Sequence, residues 1–216
     1  SDSDINAYLS CYGVSTSVSR VPVDGGAAVG DGTVEVALDI EDVAGLAPDA
    51  HILVYETPGQ LGSTTSGQES SLDAYGAIAQ DDQAQVVSSS WGWCEPDMVV
   101  SGINYSLAEN SIFQLMAVQG QSMFAADADS GSEGCLYDVG QGNVNGGNAA
   151  DPYALLSEDP GSQPFVTGVG GTEVVTPHVE QVWNGSGPAH DGSGWLAPFT
   201  GTSSTSARVS NADTVC

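Results

Sequence analysis

The sequence predicts an α/β domain built on a largely parallel sheet. The first observation behind this is alternation: short β-branched runs take turns along the chain with segments of helical period. The second is size, since 216 residues at 40% hydrophobic suit one domain with a sizeable core, or a large part of one. Ala50 to Glu56 (AHILVYE) reads as a buried strand. A helix fits Leu72 to Gln80, with Ser70 and Ser71 as its caps. Gln85 to Ser90 (QVVSSS) reads as a strand. From Ile103 to Gln119 the pattern is helical, and Gly120 stops it. Ser122 to Asp127 (SMFAAD) and Phe165 to Val169 are further strands. Residues 140–148, and the region after Asn184, read as surface loops. In such sheets, sites gather at the carboxyl ends of the strands.

Charge is the strongest bulk signal. There are 28 acidic residues against two basic ones, Arg20 and Arg208, for a net charge of -26. Such a field repels phosphate backbones and anionic membrane surfaces, so neither nucleic acid nor membrane is an expected partner. At neutral pH the folded chain repels itself. Protonating carboxylates at about pH 4 relieves that, and salt screens it. The composition fits an acidic or saline medium; an excess of surface acid that only keeps the chain soluble fits it too. No run of apolar residues is long enough for a membrane-spanning helix. The four cysteines, Cys11, Cys94, Cys135 and Cys216, show no zinc-type spacing. Their number permits disulfides, and with many Ser, Thr and Gly it agrees with a secreted, extracellular protein.

Four segments could carry chemistry. The first is VEVALDIEDVAGLAP, Val34 to Pro48. Val34, Val36, Leu38 and Ile40 alternate with polar or small residues as in a strand, while Val36, Ile40, Val43, Ala44 and Ala47 form a helical stripe. The length of the run and the Pro48 that stops it favour the helix. Along a strand, Glu35 and Asp39 would stand roughly 13 Å apart. On a helix their Cβ atoms come to about 5–6 Å, and only then can the two carboxyls share a proton, raising one pKa as a general base in acid requires. A solvated acidic face gives the same spacing. The second segment is VVSSSWGWCEP, Val86 to Pro96, where a strand ending in small polar residues could pair its edge with an extended peptide. A buried strand ending in a core tryptophan is the plainer alternative.

The third segment is MFAADADSGSEGC, Met123 to Cys135, which brings Asp127 and Asp129 to a Ser-Gly turn. A protonated acid there can donate to a developing oxyanion; a turn-forming loop, or part of a calcium site, reads equally well. The fourth is FTGTSSTSARV, Phe199 to Val209, where Gly-Thr-Ser could present Ser203 as a nucleophile; a Ser/Thr-rich loop is the alternative. His51, His178 and His190 have no His-Gly-Thr-His setting, so a Ser-His-Asp triad lacks support and a serine peptidase would need a carboxylate base.

In order, VEVALDIE, LAPDAHILVYE, VVSSSWGWCE, AENSIFQLMAVQGQSMFAA, DSGSEGC, SQPFVTGVGGTEV and VWN resemble the sedolisin family of serine-carboxyl peptidases, over roughly Asp4 to Asn184. The resemblance implies a subtilisin-like three-layer fold with a largely parallel central sheet, one peptidase domain over 1–216, and acid-acting peptidase activity on a peptide or protein substrate. Glu35 matches the family's general base and Asp39 the acid that orients it. Asp129 matches the oxyanion-hole aspartate, and Ser90, Trp91 and Gly92 the strand lining the substrate cleft. Calcium is expected from the same source, although its ligands are not evident, and a monomer is expected. Cys94 and Cys135 follow two strands that the family sets side by side, so a disulfide between them is expected. Three departures stand out, one being that the first strand expected before the N-terminus is missing; the other two are the residues before the oxyanion aspartate and the C-terminal end. Asp127-Ala128 replaces the usual Ser-Gly before the oxyanion aspartate. Only a short loop separates Asn184 from Ser203, and no proline follows the Gly-Thr-Ser motif. The expectation is therefore that the nucleophilic serine lies beyond the chain rather than at Ser203. A catalytically inactive binding domain with the same fold, and a calcium-binding extracellular domain using oxygens of Asp127 to Glu133, are the competing readings.

Overall fold

The computed structural model describes residues 2–30, 32–58, 65–127, 129, 157–176 and 179–183. They belong to two compact units, one within Ser1–Leu61 and the other within Gly62–Thr205.

The first unit runs helix α1 (Asp2–Tyr12), strand β1 (Ser17–Pro22), helix α2 (Thr33–Leu46), strand β2 (His51–Glu56). The two strands are parallel, with Ser17 opposite His51 and Pro22 opposite Glu56, so α2 is the crossover that a parallel pair requires. The ambiguous Val34–Pro48 run is thus a helix. Its stripe decides the matter, because Ile40 and Ala44, one turn apart, are its buried residues. At the start, the Thr33 hydroxyl accepts from the Gly30 N–H. At the end, the Ala47 N–H returns to the Val43 carbonyl, and Pro48 follows. The Pro48 carbonyl accepts from the Thr16 hydroxyl at 2.8 Å, tying the helix exit to the start of β1. Helix α1, whose buried residue is Ile5, packs on α2, and a Cβ at Gly45 would lie 2.8 Å from the Tyr8 hydroxyl oxygen. Arg20 pairs with Asp2 of α1 and Glu56 of β2, joining helix and strand. Strand β2 is only half-buried and starts at an exposed His51, where the sequence suggested a buried strand.

The second unit contains helix α3 (Thr65–Asp81), strands β3 (Val86–Ser89) and β4 (Trp93–Cys94), the short 3-10 turn Glu95–Met98, strands β5 (Val99–Val100) and β6 (Ile103–Asn104), helix α4 (Tyr105–Gln119) and strand β7 (Ser122–Ala126). Strands β8 (Glu158–Asp159), β9 (Val166–Val169), β10 (Thr172–Thr176) and β11 (Val179–Val182) come after them. Its main sheet is parallel, in the order β3-β7-β9. The short pairs β4-β8, β5-β6 and β10-β11 are antiparallel. The sheet alternates as its sequence does: Val87, Ser89, Met123 and Ala125 are buried and the residues between them are not. Helices α3 and α4 pack together, with Tyr75 meeting Phe113 edge-on at 5.0 Å. Phe113 and Met116 are fully buried, and burying such a side chain stabilises by about 1.5–3 kcal/mol.

Helix α4 keeps its predicted C-terminal end but starts at Tyr105, since Ile103 and Asn104 form strand β6. Asn104 caps it, accepting from the Leu107 N–H at 3.1 Å, and Gly120 closes it in the left-handed region at φ 90. Helix α3 departs from expectation. It begins at Thr65, so Ser70 and Ser71 lie inside it instead of capping it. The added turns bury Gln68, whose side-chain amide donates to the Asp97 carbonyl at 3.4 Å, and this tertiary anchor overrides the local capping signal. The loops read at residues 140–148 and after Asn184 lie outside the described residues.

Candidate active site

Helix α2 carries Glu35 and Asp39 one turn apart, and both side chains are half-buried. The extended alternative, which would have separated them, is gone. Two residues further on, Glu41 is held above the ordinary carboxylate range, first by burial and then by the charges of Asp4 and Asp42. His51 stands across from Ser17 in the β1-β2 pair, with Nε2 3.0 Å from the Ser19 hydroxyl oxygen.

In the second unit the carboxyl ends of β3 and β7 lead into the other predicted residues. Ser89, the last residue of β3, is buried and organises the turn out of that strand. Its Oγ accepts from the Trp91 N–H and lies 3.3 Å from the Trp91 carbonyl oxygen to which it donates. The Tyr75 hydroxyl approaches the same Oγ at 3.0 Å. These bonds fix Ser90, Trp91 and Gly92, all half-buried, as a short connection from β3 into β4. The tryptophan is thus not a core residue. Gly92 passes close to β8: a Cβ there would sit 2.8 Å from the Asp159 carbonyl oxygen and 3.2 Å from Glu158 Oε2. Beyond β7, the Asp127 N–H donates to the Val169 carbonyl at 3.1 Å, extending the parallel ladder by one residue. Asp129 is exposed, and its Oδ1 accepts from Trp183 Nε1 at 2.8 Å.

Beneath this edge lies a buried acidic pair that the sequence did not announce. Glu109 of α4 and Asp159 of β8 are both almost wholly buried. No N–H of the described residues reaches either Glu109 oxygen, whereas Asp159 Oδ2 accepts from the Gln163 side-chain amide at 2.5 Å. Burial raises Glu109 to about 10, and the facing Asp159 carboxyl raises it through a hydrogen bond and charge. A proton on Glu109 is what allows two carboxyls to bond. Tyr75 is raised as well, mainly by burial and then by Glu109. Sequence reasoning missed Tyr75, Glu109, Glu158 and Asp159; Trp183 stood inside the quoted VWN but without a role.

The remaining expectations fall on other residues. Ser203, Cys135, Cys216, His178 and His190 lie outside the described residues, as do Asp127–Glu133 apart from Asp127 and Asp129. Neither Cys11 nor Cys94 carries a free thiol. Among the described residues no group of three His, Cys, Asp or Glu side chains could hold a metal ion. Calcium also binds backbone carbonyls, amides and water, and no step of the proposed reaction uses it. Among the same residues no helix is long and apolar enough to cross a membrane.

Known proteins resemble this chain. No protein-family model matches it. It is 28% identical to xanthomonalisin of Xanthomonas sp. (strain T-22) over 92% of its own length and 25% of that protein's. It is 29% identical to sedolisin of Pseudomonas sp. (strain 101) over 84% of its length and 30% of that protein's. Kumamolisin of Bacillus sp. (strain MN-32) is 32% identical over 85% and 31%. The chain therefore spans between a quarter and a third of the curated relatives it matches. Among solved structures, Pseudomonas sedolisin, a serine-carboxyl proteinase complexed with two molecules of pseudo-iodotyrostatin, matches with a TM-score of 0.64 at 28% identity. That match covers 89% of this chain and 50% of the solved one.

Proposed function

The chain belongs to the sedolisin family, with its mixed α/β, subtilisin-like fold and serine-carboxyl peptidase relatives, and on that premise we propose that it forms the carboxylate-bearing part of a secreted, acid-acting serine-type peptidase. The observation that carries this reading is the Glu35–Asp39 pair, one turn apart and half-buried on α2. In the proposed reaction a serine hydroxyl attacks the peptide carbonyl while Glu35 takes its proton. Asp39 orients Glu35 and shares that proton. Asp129, protonated in acid, donates to the tetrahedral oxyanion, and its bond to Trp183 supports a fixed orientation. Collapse releases the amine with a proton from Glu35, and water then hydrolyses the acyl-enzyme. Ser90, Trp91 and Gly92 line the cleft and receive the extended substrate. The attacking serine is supplied from outside the described residues.

Two bulk properties support acid action. A net charge of -26 is relieved by protonation, and Glu109 holds its proton to about 10. Secretion is supported by the absence of free thiols among the described residues, and pairing of Cys94 with Cys135 is part of the proposal. The experiment is hydrolysis of a protein substrate by the intact gene product at about pH 4, where ordinary carboxyls are partly protonated. Glu35→Ala is the control. Activity that the variant retains in full refutes the assignment.

A further inference from the structure

Asp159 serves two contacts at once. Its backbone carries the contact between β8 and the cleft connection. It lies opposite Trp93 in the β4-β8 pair, and its carbonyl oxygen is 2.8 Å from where a Cβ on Gly92 would stand. Its side chain meets the Glu109 carboxyl of helix α4. Among the described residues no N–H reaches either Glu109 oxygen or Asp159 Oδ1. A proton shared by the two carboxyls is therefore the direct link between α4 and β8. Gln163 braces the same junction from the turn after β8. Its side-chain amide donates to Asp159 Oδ2 at 2.5 Å and to the Ser106 carbonyl at 3.0 Å, and its Oε1 accepts from the Asn110 amide at 3.0 Å. The other titratable group facing Glu109 is Tyr75 of α3, which is raised by burial first and then by Glu109. Beside the junction lies a recess of about 320 Å³, with Asp159, Gln163, Ser106 and Asn110 in its lining. An Asp159 carboxyl deprived of Glu109 has that recess as its route to water.

We propose that Glu109 is a positioning residue for substrate binding, holding β8 through Asp159 against the Gly92–Trp93 backbone so that the Ser90–Gly92 wall stays in place to receive the peptide. The inference rests on the peptidase reading of that wall. Glu109 is wholly buried and meets no substrate; it acts through Asp159 and the β4-β8 pair. Without it, the Asp159 carboxyl is left buried with Gln163 as its amide donor. A buried acid that has lost its partner costs free energy, and movement toward water relieves that cost. Moving Asp159 into the recess draws its carbonyl away from Gly92 and loosens the wall. The groups proposed to transfer protons are not part of this bridge, so the loss falls on KM and spares kcat. The wall is thus held from two helices, from α3 by Tyr75 through Ser89 and from α4 by Glu109 through Asp159.

The test measures kcat and KM for one peptide substrate at about pH 4, with the intact gene product and its variants. Glu109→Gln keeps both the reach and a hydrogen-bond donor toward Asp159, and its KM should match wild type. Glu109→Asp is one methylene too short, and Glu109→Leu has no polar group. In both, KM should rise by about ten-fold while kcat stays within about two-fold. Met116→Ala is the control for stability alone, since Met116 is fully buried two turns further along α4 and outside the bridge. It should unfold at lower denaturant with KM unchanged. A wild-type KM in Glu109→Asp and Glu109→Leu, or an equal rise in Met116→Ala, overturns the inference and leaves the peptidase reading intact. A rise in Glu109→Gln as large as that in Glu109→Leu overturns it as well. If Glu109→Leu does not fold, Glu109→Asp decides alone. A wild-type protein that cleaves no peptide overturns the peptidase reading itself.

Discussion

The Tyr75 hydroxyl lies 3.0 Å from the Ser89 hydroxyl, in the buried layer directly beneath the Ser90–Gly92 connection. Ser89 in turn bonds both the N–H and the carbonyl of Trp91. A helix α3 side chain is thereby coupled, through a single serine, to the backbone that the proposed substrate would meet. Tyr75→Phe keeps the ring contact with Phe113 and removes one hydrogen bond. It should lower unfolding free energy by about 1 kcal/mol. Because Ser89 loses a restraint, peptide KM should rise while kcat changes little. Denaturant unfolding and steady-state kinetics measure the two effects. An unchanged KM with the expected stability loss would reduce Tyr75 to a core residue.

Glu109 makes stability depend on pH in a stated direction. The folded state holds its proton to about 10, against an ordinary value of 4.5. Between those values the native state binds more protons than the unfolded chain, so stability falls as pH rises. The contribution is complete below the ordinary carboxylate range and is lost progressively above it, by at most about 1.4 kcal/mol per pH unit for one proton. Glu41, raised by burial and by Asp4 and Asp42, acts with the same sign. Melting temperature should therefore be highest in acid, and Glu109→Gln should flatten the decline between about pH 5 and 8. Surface repulsion also declines in acid, but salt screens it and does not screen a buried carboxyl. A variant whose profile at high salt superimposes on wild type would remove Glu109 as the cause.

How much of the fold and the site was legible in the sequence depended on the range of the interactions. Helix α4 announced its C-terminal end through Gly120, and the parallel strands β2, β3, β7 and β9 declared themselves as short apolar runs, whereas β1 did not. The Val34–Pro48 helix was legible because its stripe outlasted the strand-like alternation at its start. The start of helix α3 was not, because what lengthens it is Gln68 reaching the Asp97 carbonyl, a contact no local pattern encodes. The same holds for Asp129 and Trp183, bonded across 54 positions. Glu109 sits in an otherwise ordinary helical pattern. Its isolation becomes visible only when β8 brings Asp159 against it.

The Glu35–Asp39 pair offers a test in which stability and activity move oppositely. Like charges one turn apart destabilise a helix by about 0.2–0.5 kcal/mol. Asp39→Asn removes one of them from α2 and should leave the fold as stable or slightly more stable at neutral pH. The same change deprives Glu35 of the acid that orients it and shares its proton. Peptidase kcat should then fall by about 10²–10⁴, the usual scale for losing a positioned proton-transfer group. Thermal unfolding and single-turnover hydrolysis on one preparation give both readouts. Retained activity would return the pair to a plain acidic helix face.

Gly92 tests the close passage between the cleft segment and β8. Its Cβ position lies 2.8 Å from the backbone carbonyl oxygen of Asp159, an atom that cannot swing away as a side-chain tip could. Gly92→Ala should therefore push β8 and the Ser90–Trp93 connection apart and destabilise by about 1–3 kcal/mol, the range for overpacking. Gly92 does not use the left-handed backbone region, so the cost is steric rather than conformational. Gly170 is the matched control: nothing stands within 4 Å of its Cβ position and its φ is also ordinary. Gly170→Ala should be neutral or stabilise by about 0.4–1 kcal/mol through the unfolded state. Peptide hydrolysis should fall with Gly92→Ala and not with Gly170→Ala. Equal behaviour of the two variants in both unfolding and hydrolysis would mean that the Gly92–Asp159 approach constrains neither fold nor cleft.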